Sequence, residues 1–290
     1  MFLIGGGNFP PLLSNFNSTI SQSRGRKMVQ VIDTRNNPNI VWEKLPDDYI
    51  LPDEPVDNIT QPLLAAALTE ALELAEIVTS EMMIATNMGI CTKVNDKIVV
   101  KAPDWFYVSQ VFPVAEGTTR RSYTPHTEGK VPSLVMEFLS EAEGGEYSIR
   151  PSFPYGKLWF YEHILQVPIY VIFDANSGIL EVRKLTDKAY QVQSLNAEGR
   201  YFIPSLNLYL GVWFGERLNV KTHWLRWWNL EGNMLLWGKE RIALEQQRTE
   251  QERQRAEQEH ERAEQERQRA DLAEQEIARL RSLLQEKEQN

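Results

Sequence analysis

Apolar positions along the chain change period twice, and each change marks an element. Over residues 61–85 Leu64, Leu68, Ala71, Leu72, Ala75 and Val78 recur at three- and four-residue steps, which predicts an amphipathic helix across the whole stretch. The runs that follow are β-branched and aromatic with turn residues between them: 98–101, 105–111, 133–139, 169–174 and 179–185. Between the third and fourth lies 155–167, where Leu158, Tyr161, Ile164 and Leu165 fit one face of a helix. A strand–helix–strand passage of that length predicts a parallel crossover in an α/β sheet. From 184 to 237 short strand signals continue, and Asn229–Asn233 has the chemistry of a turn between two aromatic runs, predicting a hairpin there.

The last stretch differs in kind. EQERQRA, EQEHERA and EQERQRA follow one another from Glu250 to Ala270, a seven-residue repeat. Ala256, Ala263, Ala270, Ile277 and Leu284 share one heptad position, while its partner position holds Glu252, Glu259 and Glu266 before Ala273 and Leu280. Glutamates do not enter a dry seam. The expectation is a solvated helix laced by glutamate–arginine pairs over most of 239–290, with a weak coiled coil and homo-oligomer contact near its end.

Residues 1–27 are rich in Gly, Asn, Ser and Pro without any period and read as a disordered leader; Met28 is an alternative start. Residues 38–60 carry six acidic residues and four prolines, an extended approach segment. The expected division is therefore leader 1–27, one domain 28–238 and tail 239–290.

Charge and cysteine narrow the function classes. The net charge is −9, and the tail accounts for only −3 of it, so the body itself is acidic. An acidic body is poorly equipped for tight non-specific binding to a phosphate backbone. Cys91 is the single cysteine, which excludes an intrachain disulfide and a thiolate cluster. The four histidines share no ligand spacing, so no zinc site is expected. No stretch reaches the roughly 18 apolar residues of a membrane span, and the N-terminus lacks the layout of a secretory signal. Neither a membrane partner nor export is expected, and a reducing cytoplasm is the default compartment. Gly5-Gly6-Gly7 opens no strand-to-helix turn, and no serine elbow is present.

Two carboxylates stand out against this background. Asp104 follows Pro103 at the mouth of an aromatic run, and Glu137 interrupts Leu134-Val135-Met136 and Phe138-Leu139. A buried carboxylate is costly unless it is paired, hydrogen-bonded or bound to a cation. Two of them on neighbouring strands make an oxygen-rich pocket suited to Mg²⁺, or Mn²⁺, and to phosphodiester chemistry. Lys157, early in the next helix, is the cation best placed to meet developing negative charge. Asp174 reads as a strand cap opening the turn Asn176-Ser177-Gly178, and the Trp-rich run 221–228 as a hairpin packed on the core.

Pro103-Asp104, Glu137-Phe138-Leu139-Ser140, Lys157-Leu158-Trp159-Phe160-Tyr161, Pro168-Ile169-Tyr170 and Asp174, in that order, resemble the Uma-two family, a bacterial family of endonuclease type within the PD-(D/E)XK nuclease superfamily. The likeness runs from about residue 60 to about 245 and includes Leu225–Trp228 with Glu231–Asn233. It implies a restriction-endonuclease-like α/β fold: an αβββαβ core with a mixed sheet, followed here by an extra hairpin and the long charged helix. It also implies a Mg²⁺-dependent endonuclease acting on DNA, with Asp104 and Glu137 as metal ligands and Lys157 as the catalytic cation. The superfamily sometimes adds an acidic residue from its first helix, here Glu70 or Glu73. Two departures stand out: the superfamily's Glu-x-Lys has Leu139 at its third position, and Phe153 and a longer insert replace an Asp a turn before the lysine. The alternative is a catalytically inactive nuclease scaffold that assembles through its tail.

Overall fold

The computed structural model describes residues 38–46, 59–139 and 145–288. The expected leader, and most of the approach segment, lie outside them. In chain order the elements are β1 (Ile40–Val41), α1 (Thr60–Leu74), β2 (Met83–Ala85), β3 (Gly89–Val94), β4 (Lys97–Lys101), β5 (Trp105–Val108), β6 (Ser122–Tyr123) and β7 (Leu134–Phe138). There follow a 3₁₀ turn (Gly145–Tyr147), α2 (Lys157–Trp159) running on as a π-helical segment (Phe160–Leu165), and β8 (Ile169–Asp174). The chain then continues through β9 (Ile179–Thr186), β10 (Ala189–Val192), β11 (Arg200–Ile203), β12 (Leu208–Arg217) and β13 (Val220–Trp228) into α3 (Gly238–Glu288).

The central sheet has six strands in the order β10-β9-β8-β7-β5-β2. Its β7–β8 pair is parallel, joined by the α2 crossover, and its other pairs are antiparallel, so the sheet is mixed. With the β3–β4 hairpin and β6 set aside in a second sheet with β1, the order is α1-β2-β5-β7-α2-β8, the αβββαβ arrangement. A third sheet, β11-β12-β13, is antiparallel throughout. Among the described residues no helix is long and apolar enough to cross a membrane.

Strand alternation divides the core and decides what the site can see. On β5 and β7, Trp105, Tyr107, Leu134, Met136 and Phe138 face α1 and the third sheet. Phe106, Val108 and Val135 face the other way, toward Leu158, Tyr161 and Ile164 of the crossover helix. Asp104 and Glu137 have the parity of this second set, so both fall on the side that carries Lys157.

The helix expected over 61–85 ends eleven residues early, at Leu74. Glu76 takes a left-handed φ of 57°, and the Ile77 N–H closes back on the Leu72 carbonyl, a hydrogen-bonded C-terminal cap. Met83–Ala85 then pair with Val108, Tyr107 and Phe106 as the outer strand β2. Short apolar runs of this kind are compatible with either period, and pairing to β5 decides the matter. The long hairpin also turns elsewhere than expected, at Leu218-Asn219, where both residues have positive φ. Asn229–Asn233 does form a tight turn, yet it closes with a single bridge, Trp228 to Met234, before the chain enters α3.

Trp224 and Trp227 are fully buried, with the Trp227 indole N–H donating to the Leu68 carbonyl at 3.1 Å, so the Trp-rich run packs on the core as read from the sequence. The first turn of α3 is pinned beside it. Buried Arg226 donates two hydrogen bonds to the Glu240 carboxylate (3.1 and 2.7 Å) and one to the Leu235 carbonyl at 2.7 Å. Its guanidinium lies 3.5 Å from the Trp237 ring centre. Glu240 also accepts from the Trp237 N–H, and Glu70 from the Gly238 N–H, so two side chains satisfy amides at the helix start. From Glu245 to Ser282 α3 is exposed and laced by pairs such as Arg253–Glu250 at 3.0 Å.

Candidate active site

The site is built where β5 begins and β7 ends, beside the crossover helix. Trp105 is paired with Met136, so the residues just outside the ladder, Asp104 and Glu137, come side by side. The Phe138 N–H donates to the Asp104 carboxylate at 2.6 Å, fixing Asp104 on the tip of β7. Glu137 has no exposed surface at all. One of its oxygens accepts from the Tyr161 hydroxyl at 2.8 Å and the other from the Lys157 ammonium at 3.2 Å. The two carboxyl groups are close enough for the charge of each to act on the other.

Lys157 owes its position to a close approach of backbone. Gly156 precedes it at the helix start, and a Cβ there would lie 2.2 Å from the Ser148 carbonyl oxygen. The Trp159 N–H donates to that same carbonyl at 3.2 Å, so the described part of the insert, 145–155, packs on the first helical turn. The remainder of the helix is π-wound, a form found often at functional sites, and it carries Tyr161 inward against Glu137.

The electrostatics follow from burial. Desolvation pushes the Glu137 carboxyl up to about 8, with the Asp104 charge adding to it and Lys157 and Tyr161 opposing. Desolvation likewise lifts Asp104 to about 6 against the pull of the Phe138 amide and Lys157. Burial alone would lower Lys157, but the negative charges of Glu137, Asp104 and Glu146 reverse this and hold it above its ordinary range, hence protonated. Tyr161, buried and facing Glu137, stays a phenol and a donor. Displaced protonation of this kind, gathered around one contact network, makes this cluster a candidate functional site.

Three participants have no counterpart in the sequence-based set. In the sequence Tyr161 belongs to an apolar face and to the family-like motif that begins at Lys157, with no role in the site assigned to it. Gln61, at the start of α1, donates its side-chain amide to the Phe138 carbonyl at 2.9 Å. Glu146, in the insert, lies with its carboxylate 3.7 Å from the Lys157 ammonium, and its other oxygen is buried without a hydrogen-bond partner. An acceptor left so costs about 1–3 kcal/mol. Only the insert's acidic content pointed to it. Conversely, Glu70 is bound to Arg217 at 2.6 Å and to α3, and Glu73 is exposed, so neither first-helix glutamate joins the site. Asp174 accepts from the Asn176 N–H and the Ser177 hydroxyl, the turn-opening role read from the sequence.

A family model described as Uma2, putative restriction endonuclease, matches residues 44–221. The chain belongs to this family. The match spans more than half the chain and includes Asp104, Glu137 and Lys157, while α3 lies beyond it. No curated protein matches the chain. Restriction-endonuclease-like families generally use divalent metals. Among the described residues, no group of three or more His, Cys, Asp or Glu side chains is arranged to hold a metal ion. The Asp104–Glu137 pair nonetheless has the chemistry such an ion requires. Its donors are hard carboxylate oxygens, and burial raises the affinity of both groups for positive charge, so a cation there competes with protons.

Proposed function

We propose that the protein is a Mg²⁺- or Mn²⁺-dependent endonuclease that hydrolyses DNA phosphodiester bonds, as its Uma2 membership suggests. One observation carries the reading: a fully buried carboxylate, Glu137, and a partly buried one, Asp104, stand at neighbouring positions of β7 and the start of β5 and face a lysine 3.2 Å from the inner one. Asp104 and Glu137 would hold the cation, which when bound supplies charge neutralisation and an activated water. Lys157 meets negative charge on the phosphoryl oxygens as it develops. Tyr161 fixes the Glu137 carboxylate through its hydroxyl. The partly exposed Asp104 and Lys157 give the pair an open side.

Calorimetric Mg²⁺ titration with DNA cleavage on the same samples tests this. Wild type binds and cuts; Glu137→Ala does neither; Lys157→Met binds and does not cut. Absence of binding in the wild type overturns it.

The second reading, a catalytically inactive scaffold, draws on one feature: both Glu137 oxygens are already engaged by Tyr161 and Lys157. Under either reading the end of α3 is our proposed self-association surface, since Ile277, Leu280 and Leu284 of its heptad seam are half or more exposed.

A further inference from the structure

We propose that Glu146 is a positioning residue for Lys157, the acceptor that keeps the ammonium in the site when Glu137 turns to a cation. The proposal rests on the cation-dependent reading above. Lys157 has two carboxylates within reach and favours one of them: 3.2 Å to Glu137 is a hydrogen bond, whereas 3.7 Å to Glu146 is an ion pair without one. Glu137 cannot give the same oxygen fully to a metal ion and to an ammonium. Any cation held by Glu137 therefore competes with Lys157 for it, and a lysine without another partner would swing toward solvent.

Glu146 supplies that partner. Its side chain is 5% exposed, and its second oxygen is buried with no donor, a ready place for one of the three ammonium protons. The turn that carries it is fixed independently of Lys157: the Tyr170 hydroxyl donates to the Glu146 backbone carbonyl at 3.0 Å. The Gly156–Ser148 approach sets the other side, so the turn and the start of the lysine's helix are packed together. Glu146 thus acts through Lys157 rather than on substrate.

Neutralising Glu137 without a metal reproduces the competition. Full-length Glu137→Gln and Glu137→Gln/Glu146→Gln are treated with an amine-acetylating reagent, and Lys157 modification is followed by peptide mass spectrometry. In the single variant Glu146 holds the lysine and modification is slow; in the double variant it is faster by about tenfold. Equal rates overturn the proposal. If the double variant does not fold by circular dichroism, Glu137→Gln/Glu146→Asp replaces it. The shorter carboxylate keeps the charge but not the reach, so modification faster than in Glu137→Gln supports the role and an unchanged rate overturns it. In the enzyme, Glu146→Gln lowers kcat for DNA cleavage with little change in KM. A wild type that neither binds Mg²⁺ nor cuts DNA, with the acetylation difference intact, removes the nuclease reading and leaves the anchoring role standing.

Discussion

Burial of Glu137 should make stability fall with rising pH in a window where most proteins are steady. Its ordinary value is 4.5, and burial carries it to about 8 in the folded chain. Between those values the folded state keeps a proton that the unfolded chain has released. Stability therefore declines as pH rises, by at most about 1.4 kcal/mol per pH unit for one such proton. Asp104, lifted from 3.8 to about 6, acts in the same sense at the lower end. Lys157, raised from 10.5, contributes fully below that value and so adds no slope here. From about pH 5.5 to about pH 7.5 the expected loss is about 2–3 kcal/mol, since one excess proton spans nearly the whole interval. Urea unfolding at three pH values measures it, with Glu137→Gln beside the wild type. The variant should lose most of the slope and match or exceed the wild type at the upper end, because a neutral amide needs no proton to stay buried. A flat or rising wild-type curve, or an identical slope in Glu137→Gln, would refute the reasoning. Saturating Mg²⁺ should lift the wild type most at the upper end, where little proton must be displaced.

Other expectations are shorter to state. Glu240→Ala strands the buried Arg226 guanidinium and should cost about 3 kcal/mol, with Arg226→Met/Glu240→Ala recovering part of it; a urea-based double-mutant cycle reads both. Gly156→Ala forces the helix start off the Ser148 carbonyl, and a loss of about 1–3 kcal/mol in stability should accompany reduced cleavage as Lys157 shifts. Leu280→Glu should shift any tail-mediated dimer to monomer in sedimentation, with the folded domain unchanged by circular dichroism.

Much of this fold could be read because its strands are short, apolar and punctuated, and because Leu158, Tyr161, Ile164 and Leu165 all bury as their spacing demands. Asp104, Glu137 and Lys157 were legible as types out of place: a carboxylate inside an apolar strand, another at a strand mouth, a cation at a helix start. What could not be read depended on partners distant in sequence. Met83–Ala85 look helical until β5 supplies a ladder, and the positive φ at Leu218 has no residue signature, since leucine is an unusual choice there. Tyr161 is at once part of an apolar face and a hydroxyl donor, and periodicity registers only the first. Glu146 sits in a stretch with no period, and its closeness to Lys157 comes from the fit of Gly156 against Ser148.

The anchored start of α3 bears on why a helix of this composition exists. Beginning a helix is the unfavourable step, because several residues must be ordered before the first hydrogen bond closes, whereas adding residues to an existing turn is nearly neutral. Here the domain supplies that first turn ready-made: Glu70 and Glu240 satisfy amides at its start, Arg226 binds Glu240, and Arg241 of the helix donates to the Leu74 carbonyl at 2.6 Å. The 51 residues of α3 need only propagate outward, which weak glutamate–arginine pairs suffice to sustain. The same sequence cut free of the domain has to initiate on its own and should lose much of its helicity, most of all over the turns next to Gly238 that the domain had anchored.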